Sequence, residues 1–265
     1  MCQGRFRRVI RYAQHGYGQG HQFPIDRDGA YHPAPKTNKE VRTTVDGYPI
    51  AIFHRETASD TLEFVGKYNF NNDKSTAETF GFSDGDESWE FSNNTSDRCL
   101  FKSADFSGTD WTNDFESRYP DDDAINAEYE AGTRKPEKLM AVTSWVVSTK
   151  DNLDKFKNEV RNHFNLDNLI AYYLITELFG MVDQRAKNMF LTYFHEEGKW
   201  IFIFYDNDTC FGLNNEGLIA FGYNIEYHDK IGTLNVWNGE SSVLWNNLEK
   251  CFPSEIEAMY KDIRT

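Results

Sequence analysis

The chain has 265 residues, 39% of them hydrophobic, with 21 Phe, 14 Tyr and 6 Trp, which suffices for one large domain or two lobes and excludes a disordered composition. Its formal charge of −14 excludes non-specific binding to nucleic acid or an anionic membrane, whose phosphates would be repelled. Cys2, Cys99, Cys210 and Cys251 lie far apart without a C-x-x-C pair, so neither a zinc site nor a disulfide framework is expected, and a reducing compartment is.

Residues 1–35 read as an irregular segment, and the "HPAPKTN" stretch that runs past their end reads as extended and irregular too. The basic opening, "MCQGRFRRVIRYAQHG", lacks the continuous apolar segment of a signal peptide, and no run in the chain approaches the ~18 apolar residues of a membrane span. A β-rich unit is expected over 36–135. "TTVDGYPIAIFHRE" joins a D-G turn to alternating apolar positions, and "TLEFVGKYNFNNDK" reads as a second strand in which Gly66 permits a bend. "ESWEFSNN" and "DRCLFKSADF" read as two more strands, and "DWTNDFESRYPDDD" as a helical turn or two ending in a solvated acidic turn.

A helical unit is expected over 136–265. Pro136 suits a helix start, after which Leu139, Val142, Trp145 and Val146 share one face. Leu153, Phe156, Val160 and Phe164 mark a second helix. "NLDNLIAYYLITELFGMV" is apolar almost all round, the signature of a buried helix, with Gly180 placed to cap its end. "NMFLTYF", "HEEGK" and "WIFIFY" then form a hairpin embedded in the helical unit, and "FPSEIEAMYKDIRT" is the last helix expected.

Asp183 and Asn188 precede that hairpin, and Asp206 and Asp208 follow it, so both groups should converge at one end of a sheet. Phosphoryl transfer needs a carboxylate to orient the attacking hydroxyl and oxygen ligands to hold magnesium against the phosphates. An Asp after a buried helix and an Asn one short loop later can divide those duties. An Asp emerging from the second strand supplies another ligand, the order seen in protein kinases. The plainer reading is that Asp183 caps a turn and Asn188 satisfies its backbone groups. A calcium loop is excluded: counting from Asp206, its Gly and Glu positions hold Phe211 and Gly217. His54, His163, His195 and His228 have no spacing that makes a metal triad.

The hydrophobic helix ending in Asp183, then Asn188, an aromatic strand, "GKW" and "YDNDTCFG" resembles the CotH family of spore-coat kinases, atypical protein kinases of spore formers with relatives in phage genomes. The resemblance is specific over 166–212 and looser over 44–102. "NNTSDRCLFKSADF", "DFESRYPDD" and "VLWNNLEKCFP" look similar to the phage and prophage branch. It implies an α+β, protein-kinase-like fold of two lobes, β-rich then helical, with the site between them. It implies ATP and Mg²⁺ or Mn²⁺ as cofactors, with transfer of the γ-phosphoryl group to a Ser or Thr hydroxyl of a protein.

Carried onto these positions, Asp183 is the catalytic carboxylate, Asn188 and Asp206 hold the metal, and Asp208 assists. Lys102 is the expected phosphate contact, with Lys67 as the alternative. Glu90 reads first as an exposed strand carboxylate and second as a partner for such a lysine. The chain lacks a G-x-G-x-x-G loop, a V-A-I-K motif and a His-Arg before Asp183, which fits an atypical kinase. The rival expectation is a virion component, a tail or baseplate protein that keeps the fold as a structural module among virion or coat proteins. A third is a degenerate relative that binds nucleotide without turnover. Neither nucleic acid nor membrane is an expected partner, and the expected location is cytoplasmic, in a host or mother cell, or virion-associated.

Overall fold

The computed structural model describes residue 44, residues 47–211, residue 213 and residues 241–263. The irregular segment expected over 1–35 lies outside the described residues, as do Gly212 and the side chain of Asp208.

Strand β1 (Gly47–His54) and strand β2 (Glu63–Asn71) form an antiparallel ribbon, with Tyr48 opposite Phe70 and Ile50 opposite Tyr68. β-Branched and aromatic residues favour this pairing, yet its side chains stay out of the core: Tyr48, Phe53, Phe64 and Phe70 are each more than half exposed. The short helix α1 (Ala77–Phe80) follows and buries Phe80.

The second sheet has four antiparallel strands in the order β4-β3-β5-β6: β4 is Phe115–Tyr119, β3 Glu87–Phe91, β5 Met189–Phe194 and β6 Lys199–Phe204. The hairpin expected inside the helical half therefore joins strands from the first half, with Trp89 opposite Leu191 and Phe91 opposite Met189. Alternation sorts the side chains onto two faces. Trp89, Phe91, Met189, Leu191, Phe202 and Phe204 face the main core, while Phe190, Phe194, Ile201 and Ile203 pack with Phe80 and Phe82 in a smaller one.

Helix α2 (Asp123–Glu130) starts where an acidic turn was expected. The Asp122 carboxylate accepts from the N–H groups of Ala124 at 2.8 Å and Ile125 at 3.1 Å, making this acidic run a helix N-cap. The preceding residues form a single 3₁₀ turn and strand β4 rather than helical turns. Helices α3 (Glu137–Ser148), α4 (Leu153–His163) and α5 (Leu166–Leu178) occupy the expected segments. Leu139, Val142, Trp145 and Val146 are buried as the periodicity requires, while Leu153 in the first turn of α4 stays exposed. Helix α5 is buried without interruption from Asn168 to Thr176.

Two further departures have physical causes. The strand expected at "DRCLFKSADF" is a set of turns, in which the Lys102 and Ser103 N–H groups both donate to the Asp97 carbonyl. Its apolar alternation records burial of Cys99, Phe101 and Phe106 rather than a ladder. Helix α6 (Val243–Cys251) is amphipathic but went unread within "VLWNNLEKCFP"; it buries Val243, Leu244, Trp245 and Leu248 against the main core. Helix α7 (Pro253–Ile263) follows at the expected place. No helix among the described residues is long and apolar enough to cross a membrane.

Strand β6 lies at the end of the strand order, and its free edge is closed by side chain and loop rather than by a fifth strand. The Asn168 carboxamide accepts from the Phe202 N–H at 2.7 Å and donates to the Phe202 carbonyl at 3.1 Å, reproducing a neighbouring strand's bonds. Thr44 and Phe164 bridge Phe204 and Trp200 in parallel on either side. This seam anchors α5 to the sheet and fixes where the helix ends relative to β5 and β6.

Candidate active site

Helix α5 ends at Leu178, and Gly180 takes the left-handed conformation with φ 54°, where a glycine pays no steric penalty. The chain turns there, and the Met181 N–H returns to the Thr176 carbonyl at 2.9 Å. Residues 181–188 then cross to the start of β5, held from four directions. Tyr172 Oη donates to the Gln184 carbonyl at 2.7 Å, and Trp245 Nε1 donates to the Arg185 carbonyl at 2.8 Å. The Arg185 side chain bonds Thr176 and Glu177 and lies over the Tyr173 ring. The Asn188 N–H donates to the Phe91 carbonyl at 3.0 Å, stitching the loop to β3. Burial pushes the Tyr172 hydroxyl well above its ordinary pKa and the Tyr173 hydroxyl to about 12, so both stay protonated near neutrality.

Within this clamp Asn188 Nδ2 donates to Asp183 Oδ2 at 2.9 Å, and both side chains are buried. The Lys187 ammonium stands 3.8 Å from the same carboxylate oxygen. Across the hairpin, Gln184 Nε2 donates to the backbone carbonyl of Asp206 at 2.8 Å, tying the residue after Asp183 to the end of β6. Asn188 (φ 52°) and Asp206 (φ 53°) are both left-handed, a conformation that Asn and Asp tolerate better than other non-glycine residues but that costs of order 1 kcal/mol. Asp183 and Asn188 are buried, and Asp206 is exposed.

A second charged group adjoins the corner on the smaller-core face. Glu90, buried in β3, accepts from Lys74 Nζ at 3.0 Å and from Arg118 Nε at 2.7 Å. The exposed-carboxylate reading of Glu90 is thus corrected: its place on the central strand forces it indoors, and two cations neutralise it. The Lys74 ammonium also lies 4.6 Å above the Tyr205 ring and 3.4 Å from its hydroxyl, one residue before Asp206. Phe190, two residues after Asn188, stacks on the opposite side of this seam with Tyr205 at 5.1 Å between centroids.

The other expected residues lie as follows. Lys67 is exposed on β2, opposite Ala51 in the two-stranded ribbon. Lys102 donates to Ser241 Oγ at 2.7 Å, beside the start of α6. Asp208 belongs to the 3₁₀ turn Asn207–Thr209. Lys74, Gln184 and Arg118 were not singled out from sequence. Lys74 sits in an irregular loop, and the one available signal was the need of a central-strand Glu90 for a cation. Gln184 and Arg118 carried no local signal.

Among the described residues no group of three or more His, Cys, Asp or Glu gathers as a metal cage. The loop and the turn that Gln184 ties together carry the oxygen-bearing side chains of Asp183, Gln184, Asn188 and Asp206, hard donors of the kind magnesium and manganese accept. Gln184 Oε1 is buried with no hydrogen-bond partner. An orphaned acceptor in this corner fits a site completed by a cation or its bound water.

A family model described as CotH kinase protein matches residues 68–264. No curated protein matches the chain.

Proposed function

The chain belongs to the CotH kinase protein family, and from that premise we propose that it is a metal-dependent phosphotransferase moving the γ-phosphoryl group of ATP to a Ser or Thr hydroxyl of a protein. The observation that carries this reading is the closure of one corner from two sides of a hairpin. Asn188 holds Asp183 at 2.9 Å, and Gln184 holds Asp206 at 2.8 Å through its carbonyl. Residues 183–188 and 206 are separate in the chain, and the Gln184–Asp206 bond ties the loop that carries Asp183 and Asn188 to the turn that carries Asp206.

In this reading the Asp183 carboxylate accepts a hydrogen bond from the acceptor hydroxyl and orients it. Asn188 restrains that carboxylate and, with Asp206, would hold Mg²⁺ or Mn²⁺. The bound cation supplies charge neutralisation on the phosphate oxygens. Lys74 is the residue proposed to contact the phosphates, kept extended by Glu90, which Arg118 holds in turn. Positioning and preorganised charge account for the rate enhancement, since this chemistry needs little covalent participation from the protein. The net charge of −14 makes the local cations Lys74, Arg118 and Lys187 matter, because a polyanionic nucleotide is repelled elsewhere.

The test is a thermal-shift titration with ATP, with and without Mg²⁺ or Mn²⁺, on wild type and Asp206→Ala, followed by transfer of labelled γ-phosphate to a Ser/Thr peptide pool. A ligand that binds only the folded state raises its melting temperature. A metal-dependent rise lost in Asp206→Ala, with label on serine or threonine, supports the reading. No rise in wild type at saturating nucleotide overturns it.

A further inference from the structure

Gln184 is fully buried, yet only half of its carboxamide is used. Nε2 donates to the Asp206 carbonyl at 2.8 Å, while Oε1 has no partner. The orientation is fixed by chemistry: rotating the amide would set oxygen against oxygen at Asp206. The backbone beneath it is immobilised as well, since Tyr172 holds the carbonyl of Gln184 and Trp245 that of Arg185. Asp206, at the other end of the contact, is left-handed in both angles (φ 53°, ψ 61°), so its side-chain direction depends on the peptide plane that Gln184 grips. Oε1 is therefore an orphaned buried acceptor on the residue that follows Asp183 in the chain and grips the Asp206 peptide.

We infer that Gln184 is a positioning residue of the cation site, locking the Asp206 peptide with its amide nitrogen and offering Oε1 as an acceptor to the cation's water shell. This rests on the metal-site reading above. One carboxamide thereby couples the two halves of the motif, so the Asp183 loop and the Asp206 turn present their oxygens together. Groups that orient metal ligands typically alter affinity 10–100-fold when removed.

The experiment measures Mn²⁺ binding to the full chain by the loss of the free-ion paramagnetic resonance signal, alongside the melting temperature of the metal-free protein. Wild type, Asp206→Ala, Gln184→Met and Gln184→Glu are compared. Gln184→Met keeps the length and removes both polar atoms; Gln184→Glu keeps an oxygen and loses the amide donor. The expected result is a roughly 10–100-fold weaker Mn²⁺ affinity in Gln184→Met, partly recovered in Gln184→Glu. The metal-free melting temperature should fall only by the few degrees that the loss of one hydrogen bond accounts for. Mn²⁺ affinity within twofold of wild type in both Gln184 variants overturns the inference, as does a fall in melting temperature with affinity intact, the mark of a purely structural tether. Absence of Mn²⁺ binding in wild type itself overturns the metal-site reading and the inference with it. Should Gln184→Met fail to fold, Gln184→Glu alone decides, because affinity equal to wild type without the amide donor overturns the lock on Asp206.

Discussion

The Lys74 ammonium lies 3.0 Å from the Glu90 carboxylate, joining a loop after β2 to the central strand of the other sheet. Glu90 is turned to the smaller-core face and also bonded by Arg118, so the pair is held on both sides. Lys74 remains partly exposed, with 28% of its side chain accessible, and its ammonium also lies 3.4 Å from the hydroxyl of Tyr205, the residue before Asp206.

Of the three lysines considered for phosphate contact, Lys74 should be the one that matters. Lys74→Met is expected to lower kcat/KM for ATP by roughly 10²–10³-fold, the range for losing one preorganised charge contact. Lys67→Ala and Lys102→Ala should remain within about twofold. Stability should fall by no more than about 1 kcal/mol in Lys74→Met, since the partly exposed pair is screened and Arg118 still neutralises Glu90. Steady-state kinetics with urea unfolding of the same samples checks both halves. Equal losses at Lys102 would return the assignment to that residue.

The Asn168 clamp on Phe202 should be worth more to stability than any exposed ion pair. Asn168→Leu leaves a buried N–H and a buried carbonyl on β6 unpaired, each costing about 1–3 kcal/mol. The expected loss is about 3 kcal/mol, read from the urea midpoint at unchanged slope. Asn168→Asp keeps the acceptor for the Phe202 N–H but buries a carboxylate against the Phe202 carbonyl, and should cost at least as much.

Tyr172→Phe separates packing from hydrogen bonding. The ring stacks on Phe204 at 4.2 Å and on Trp245 at 5.6 Å, and both contacts survive the substitution. What is lost is the hydroxyl donor to the Gln184 carbonyl, so stability should drop by about 1–2 kcal/mol. The metal-dependent thermal shift with ATP should shrink as the 181–188 loop loosens. A full-sized shift would mean that Trp245 and Arg185 suffice to hold the loop.

His163 gives the fold a pH dependence of known sign. Its ring stacks on Trp145 at 4.1 Å, and burial depresses its pKa below the ordinary 6.5, with Lys155 adding to the depression and Glu159 opposing it. A depressed value means the folded state binds fewer protons than the unfolded chain, so stability rises with pH across the gap. The contribution is complete above about pH 6.5 and is lost as pH falls through the folded-state value. Urea midpoints at pH 7.5 and 5.5 should differ, and His163→Gln should remove this part of the difference.

The elements that carry the candidate corner are legible in the sequence, because their signals are local. Asp183 and Asn188 follow a helix whose all-round apolarity announces burial, and Asp206 follows a hairpin marked by aromatic runs and "HEEGK". Helices α3, α4, α5 and α7 declare themselves by period, and Gly180 by the turn it must make.

Other features depend on contacts between residues far apart in the chain. Alternation in "DRCLFKSADF" reports that side chains are buried, not that a ladder partner exists, and none of the described strands pairs with it. The order β4-β3-β5-β6 links residues about a hundred positions apart, such as Ser88 and Thr192, whose hydroxyls meet at 2.8 Å. Lys74 has no periodic context; its role depends on Glu90 being turned inward and on Tyr205 lying beneath it. Gln184 is a neighbour of Asp183 in the chain but acts on the backbone of Asp206 across a hairpin. Local pattern determines which segments can bury a face and which residues flank the hairpin. Folding alone determined which distant backbone groups and charges those segments had to satisfy, because a buried hydrogen bond or ion pair is fixed by three-dimensional neighbours that no local period encodes.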